Sequence, residues 1–466
     1  MNASLSAALR AASANRRTLL SRRIPGPVLL MGNGTVSRNI PMNVLPFRQD
    51  SSFLYFTGCT APGAAMLMVD GEATLFLEPP AADDALWHGH VTSIEEQGAA
   101  LGFTRVRPTR ELEAAVAALS EAPRTIAVSA PEANAWAGVL AGTQLRFGQL
   151  HGDPELVTAI IEMRRQLSEL ELHQMRTAAQ VTAAAHEAAM AATVAGRLER
   201  EVGAIFDGVI AAGGLVPAYT SIVTVRGEIL HNHGRDNLLE DGQLLLLDGG
   251  AESITGYATD VTRTWPVNGQ FSPRQKAAYE AVLAAQHAAI DLCRPGVRYR
   301  DVHLAACLEL ARFLVDEGLV RGSPEDAVAR GAHALFFPHG VGHLLGMDVH
   351  DLENFGDQAA YAPGRERSTQ FGLGYLRLDR DLEPGNVVTI EPGFYVVPAI
   401  LADEGLTGPL RDILDLDRAA EWSGFCGIRI EDDIHVTEGD PENLTAAIPK
   451  TVADVEARVG AAMMPG

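Results

Sequence analysis

The chain has 466 residues, 47% hydrophobic and 21% charged, with a formal net charge of −22. That length exceeds what one hydrophobic core usually organises, so two globular domains are expected. The acidic balance argues against nucleic acid and anionic membrane as partners, because both need basic patches. Cys59, Cys293, Cys307 and Cys426 lie far apart with no CxxC spacing, which predicts reduced thiols in a cytoplasmic protein and no disulfides.

Residues 1–49 contain no Asp or Glu, and Arg10, Arg16, Arg17, Arg22 and Arg23 stand among Ala, Ser and Leu. Organellar transit peptides share that composition. The strand-like run VLLMG follows at once, however, so the reading adopted is an amphipathic helix ending before Pro25. No apolar run approaches the ~18 residues of a membrane span, and the cytoplasm is the expected location. VLLMG, AAMLMV and ATLFLE then read as strands, and ELEAAVAALSEA as a helix. Phe53, Tyr55 and Phe56 read as core, whereas Trp87 and His88 carry no clear pattern. The HGDP turn at 151–154 places a boundary there, giving an amino-terminal α/β domain over 1–155 and a second domain over 156–466. Ser168 with Glu171 forms a capping box that opens a long Ala-rich helix persisting to about Ala195.

The second domain holds the chemistry. FFPHGVGHLLGMDVHD places His339, His343 and His350 within twelve residues, interrupted by Gly340, Gly342 and Gly346. Glycine at that density predicts loop and strand, on which imidazoles approach a metal or a carbonyl closely. Earlier, Leu244–Leu247 lead into Asp248, and Asp260 lies in the returning alternation TDVTRTW. A hairpin would pair the two carboxylates, and buried paired carboxylates require a neutralising cation. VVTIEPGFY and GIRIEDD repeat the pattern with Glu391 and Glu431, and put Arg429 on the strand face of Glu431. Four carboxylates balance two divalent cations, with His343 completing five ligands. Oxygen-rich ligation with one imidazole suits Mn2+ or Co2+, with Zn2+ or Fe2+ as alternatives.

Together with LPFRQDSSFLYFTG near the amino terminus, these motifs resemble the proline-specific metallopeptidases of the pita-bread fold, aminopeptidase P and prolidase, over nearly the whole chain. The resemblance implies an amino-terminal α/β domain followed by a pita-bread (creatinase/aminopeptidase) catalytic domain, α/β (α+β) in class. It implies that Asp248, Asp260, His343, Glu391 and Glu431 hold two metal ions, with Asp260 and Glu431 bridging. It further implies Glu391 as general base, His350 as oxyanion stabiliser, His339 and His231 as walls of the proline pocket, and Arg429 as the residue orienting Glu431. An assembly of two or four copies is expected, acting on peptides with proline in the second position. Eleven residues separate Asp248 from Asp260, one more than is usual in the family. Arg377 resembles the position that binds the free proline carboxylate in a prolidase, which keeps an Xaa-Pro dipeptidase as the alternative. The short His231–Asp248 loop resembles that of the aminopeptidases, and an Xaa-Pro aminopeptidase is the reading preferred. A binding module that lacks the ligands fits less well, since a candidate stands at every ligand position; methionine aminopeptidase shares the five ligands but not the amino-terminal domain or the three-histidine stretch, and creatinase-like enzymes work without metal.

Overall fold

Short apolar runs bounded by Gly, Pro and Asp form the strands of this protein, and Ala-rich segments of 3.6-residue period form its long helices. The computed structural model describes residues 3–461. Backbone proximity groups residues up to Arg164 with Leu352–Ala359 in one unit, and Arg165–Asp351 with the chain from Ala360 onward in another.

The first unit opens with the helix Ala3–Arg23, which stops before Pro25. Val28–Met31, Ala65–Val69 and Glu72–Leu77 then pair antiparallel, and Arg105–Pro108 and Arg124–Thr125 join the two edges in parallel. Leu29, Met31, Leu67 and Phe76 of this sheet pack with Leu112, Val116 and Ala137. Phe53, Tyr55 and Phe56 are buried in the helix Ser51–Thr57, as expected of core aromatics, and the Asp50 carboxylate accepts from the Phe53 N–H at its start. The periodicity of ELEAAVAALSEA yields less helix than it predicts. A 3-10 turn, Thr109–Glu111, leads into Leu112–Ala117, whose buried residues are Leu112 and Val116. Trp87 and His88 lie in the short exposed helix Asp84–His88. The helix Pro154–Arg164 falls within this unit.

In the second unit the helix Glu169–Ala192 begins where the Glu171 carboxylate accepts from both the N–H and the hydroxyl of Ser168, at 2.7 and 2.6 Å. It ends three residues before Ala195. Thr193 takes an extended conformation there and turns its hydroxyl back to the Ala189 carbonyl at 2.8 Å. Three strands, Ile222–Thr224, Leu244–Asp248 and Thr262–Pro266, form an antiparallel sheet with Leu244–Asp248 in the centre. Val387–Ile390, Asp432–His435 and Glu442–Asn443 form another, and Gly393–Tyr395 pairs with Gly427–Arg429. The Glu431 N–H donates to the Thr262 carbonyl at 3.0 Å and joins the sheets.

The histidine-rich segment is not helical. It lies along the edge of Val387–Ile390, where Thr389 N–H donates to His343 O at 3.0 Å, Leu345 N–H to Val387 O at 3.0 Å and Glu391 N–H to Val341 O at 2.7 Å. Gly342 permits that approach, since a Cβ there would stand 2.0 Å from the Thr389 carbonyl oxygen.

Candidate metal centre

The hairpin carrying Asp248 and Asp260 forms as the alternation predicts, with Thr262 opposite Asp248, so Asp260 lies just ahead of the returning strand. Gly250 makes the crossing tight, because a Cβ there would meet the Thr259 carbonyl oxygen at 1.9 Å. Asp248, Asp260 and Glu431 offer oxygens within 4.8 Å of one another, and so do the donor atoms of His343, Glu391 and Glu431. Asp260, His343 and His350 form a third such group. Asp260, His343 and Glu431 each belong to two of these groups, so the three clusters form one continuous centre.

Arg429 is the buried cation facing these acids. Its guanidinium donates to Asp248 Oδ2 at 2.6 Å, to Thr262 Oγ1 at 3.0 Å and to the Tyr395 hydroxyl at 3.1 Å. The sequence reading has Arg429 orienting Glu431; the structure routes that contact through one hydroxyl, since Thr262 Oγ1 donates to Glu431 Oε2 at 2.7 Å. With the charge of Arg377 reaching Glu391 as well, two guanidinium groups still do not neutralise four carboxylates. Burial pushes Glu431 well above the ordinary carboxylate range, with the charges of Asp260 and Glu391 adding. Burial likewise raises Asp248 against the pull of Arg429, and carries Glu391 to about 7. Burial would raise Asp260 too, but the contacts from His343 and Tyr219 outweigh it and hold that carboxyl low.

The histidine tautomers follow from their partners. His343 Nδ1 donates to the Leu344 carbonyl at 3.0 Å, so Nε2 faces Asp260 Oδ2 at 3.4 Å and Glu391 Oε1 at 3.7 Å, as a proton donor to these acids while no ion is bound and as a lone-pair donor to an ion. These separations are long for hydrogen bonds. The first falls within the roughly 3.0–3.5 Å between two donors that share an ion at about 2.1 Å, and the second lies just beyond it. The donor set therefore fits divalent cations. His339 Nδ1 donates to the Gly340 carbonyl at 2.8 Å, so its Nε2 accepts from the Tyr395 hydroxyl at 2.9 Å. Burial drops His339 to about 3 and raises Tyr395 to about 12, so both stay neutral.

His350 is exposed at the rim, its ring 4.5 Å from that of His343 and its Nε2 3.2 Å from the Arg377 guanidinium. His231 is exposed in the loop after Ile222–Thr224, where partial burial and the nearby charges of Arg429 and Arg377 lower its pKa. Every residue singled out in the sequence is thus brought to one place. Three were missed. The Tyr219 hydroxyl bonds both Asp248, at 2.6 Å, and Asp260, yet PAYTSIV carries no local signal of it. Thr262 was visible only as part of an alternation. Asp433 accepts from the Asp260 N–H at 3.2 Å, but in the sequence it is one of three consecutive acids.

Residues 173–438 match metallopeptidase family M24, and residues 13–127 match the aminopeptidase P, N-terminal domain. The chain is 34% identical over 426 residues to the probable Xaa-Pro aminopeptidase pepP of Emericella nidulans, covering 88% of each. It is 31% identical over 465 residues to the Xaa-Pro dipeptidase of Homo sapiens, covering 95% of this chain and 92% of that one. The structure of Pseudomonas aeruginosa aminopeptidase PepP superposes with a TM-score of 0.81 at 31% identity, over 97% of this chain and 98% of that one. The mixed α/β architecture and these matches agree with the expected pita-bread fold, and the chain belongs to metallopeptidase family M24.

Proposed function

We propose that the protein is an Xaa-Pro aminopeptidase, a hydrolase that removes the first residue of a peptide whose second residue is proline. One observation carries the reading: the convergence of Asp248, Asp260, His343, Glu391 and Glu431 beside His339, His350 and Arg377. The resemblance to Xaa-Pro aminopeptidases along most of the chain supports it. The five converging residues are the ligands for two divalent ions, and manganese is the preferred pair for a donor set of carboxylates with one imidazole. Bound there, such ions supply Lewis-acid polarisation of the scissile carbonyl and a water of lowered pKa.

The chain's own groups do the rest. Glu391 receives the proton of the attacking water and passes it to the leaving imino nitrogen, which carries no hydrogen of its own. His350, facing the centre from its rim, donates to the developing oxyanion. His339 is fixed neutral by Tyr395 and Gly340, so with His231 it lines the proline pocket without adding charge. Arg429 holds Asp248 and, through Thr262, Glu431. Four free cysteines support a cytoplasmic location. The exposed apolar side chains of Val36, Ile40 and Met42 support an assembly of two or four copies.

Arg377 favours a second reading, an Xaa-Pro dipeptidase, because its guanidinium beside His350 could clamp a free proline carboxylate. Comparing kcat/KM for an Xaa-Pro dipeptide and its one-residue extension decides between them. The aminopeptidase reading expects the longer peptide to be preferred, with Arg377→Ala changing that preference little. Wild-type cleavage of dipeptides alone, with a loss of about 2–4 kcal/mol of transition-state stabilisation in Arg377→Ala, overturns it.

A further inference from the structure

A second cluster of ligand atoms lies outside the carboxylate centre. The helix Tyr299–Asp316 carries His303 and Cys307 four residues apart, on one face. The 3-10 turn Ala332–Leu335 brings His333 to them, so that a donor atom from each lies within 4.8 Å of the others. All three are buried, with exposures of 1% for His303, 0% for Cys307 and 3% for His333. His303 Nε2 stands 3.3 Å from Cys307 Sγ. The Nδ1 atoms of His303 and of His333 are buried with no hydrogen-bond partner. A buried nitrogen left unpaired costs about 1–3 kcal/mol; the His303 nitrogen that meets the thiol is Nε2, so His333 Nδ1 is the unpaired atom that an ion beside Cys307 would satisfy.

We propose that His303, Cys307 and His333 form a buried site for a soft monovalent cation, with the cuprous ion as its occupant. Two imidazoles and a thiolate are the donors such an ion selects. The spacing is close, because a nitrogen and a sulfur sharing one three-coordinate ion at about 2.0 and 2.3 Å lie roughly 3.7 Å apart, a few tenths of an ångström beyond the 3.3 Å between His303 Nε2 and Cys307 Sγ. Charge and number distinguish the occupant. A thiolate with Cu+ is neutral, whereas a divalent ion would leave a positive charge uncompensated among buried side chains. Structural zinc takes four ligands, and among the described residues the cluster offers three. Burial lowers His303 to about 3 and His333 to about 4, so their lone pairs face no competing proton near neutrality, while it raises the Cys307 thiol, whose proton the ion must displace. On binding, the Cys307 Sγ–H proton leaves to solvent, one Cu–S and two Cu–N bonds form, and no electron is transferred. The site borders the peptidase machinery: the His303 ring lies 5.6 Å from that of Phe337, which meets His339 edge-on at 4.8 Å.

The manganese-loaded protein is titrated anaerobically with Cu+ held by a chromogenic chelator. The wild type is expected to withdraw one equivalent. Cys307→Ser should weaken uptake on the order of 100-fold or more, while Cys59→Ser and Cys426→Ser leave it unchanged. X-ray absorption at the copper edge of the loaded wild type should show one sulfur and two imidazole nitrogens, and this measurement needs no variant to fold. Undiminished uptake by a folded Cys307→Ser, a shell without sulfur, or uptake of Zn2+ in place of Cu+ overturns the proposal.

Discussion

Glu431 and Asp432 are adjacent in the chain and buried to 2% and 0% exposure, yet the protein treats their charges in opposite ways. Neighbouring residues of extended chain point to opposite faces. On one face Asp432 meets the Arg263 guanidinium at 2.7 Å, the Lys450 ammonium at 2.6 Å and the Thr445 hydroxyl at 2.8 Å. Burial would raise its pKa, but Arg263 and Lys450 outweigh burial and bring it to about 2. On the other face Glu431 joins three further carboxylates, against which stand the buried Arg429 and the partly buried Arg377, and it is pushed well above the ordinary range. Buried acid alone is therefore not a sign of function. The sign is buried acid for which the chain supplies too little positive charge.

Substitutions on the two faces should separate cleanly. Replacing Asp260, which stands in two of the ligand groups, by Asn should cost at least ~1000-fold in kcat/KM, because several kcal/mol of Lewis-acid stabilisation go with the ion it helps hold. Bound metal, read by elemental analysis, should fall with it while the fold persists. Full turnover with full metal content would refute the ligand set. Asp432→Asn should do the reverse. It strands the buried Arg263 charge and should destabilise the fold by about 3–5 kcal/mol in denaturant unfolding, with metal content unchanged in the folded fraction. A stable Asp432→Asn that has lost its metal would erase the distinction between the faces.

This contrast also marks what the sequence could convey. The strand ending in Asp248, the strand Val387–Ile390 that Glu391 follows, the hairpin bringing back Asp260 and the non-helical run from His339 to His350 follow from local alternation, apolar runs and glycine density. In GIRIEDD the alternation with Ile428 and Ile430 made Glu431 legible as buried, and said nothing of Asp432 and Asp433. Glu431 was singled out among them as the metal-facing acid, but the neutralisation of Asp432 was not legible, because Arg263 and Lys450 lie 169 and 18 positions away. Tyr219 was invisible for the same reason, lying 29 residues from Asp248. The stop at Ala192 depended on one hydroxyl returning to a carbonyl, which periodicity does not register.

The deficit of positive charge makes the metal-free protein sensitive to pH in a definite direction. Glu391 titrates at about 7 when folded against about 4.3 in an unfolded chain, so the folded state binds the extra proton between those values. Stability of the metal-free protein should therefore fall as pH rises through that window and then level. Ions added at pH 6 should release protons, measurable by calorimetry in buffers of different ionisation enthalpy. Metal-free stability that rises between pH 5 and 7 would contradict the account.

The smallest expected effect concerns Tyr219, whose hydroxyl spans Asp248 and Asp260. Burial and the two carboxylate charges raise its pKa well above the ordinary value, so it remains a neutral donor with one proton for two acceptors. It carries no charge to offset the acids, and its contribution is orientation: it holds two carboxylates facing each other against their repulsion. Tyr219→Phe preserves the ring and removes that restraint. Groups that orient metal ligands in this way are worth about 10–100-fold in affinity. Chelator competition should show a loss of that size, while kcat at saturating metal falls far less than in Asp260→Asn. Unchanged affinity in Tyr219→Phe would mean that the ions alone align Asp248 and Asp260, and that the hydroxyl matters only while the centre is empty.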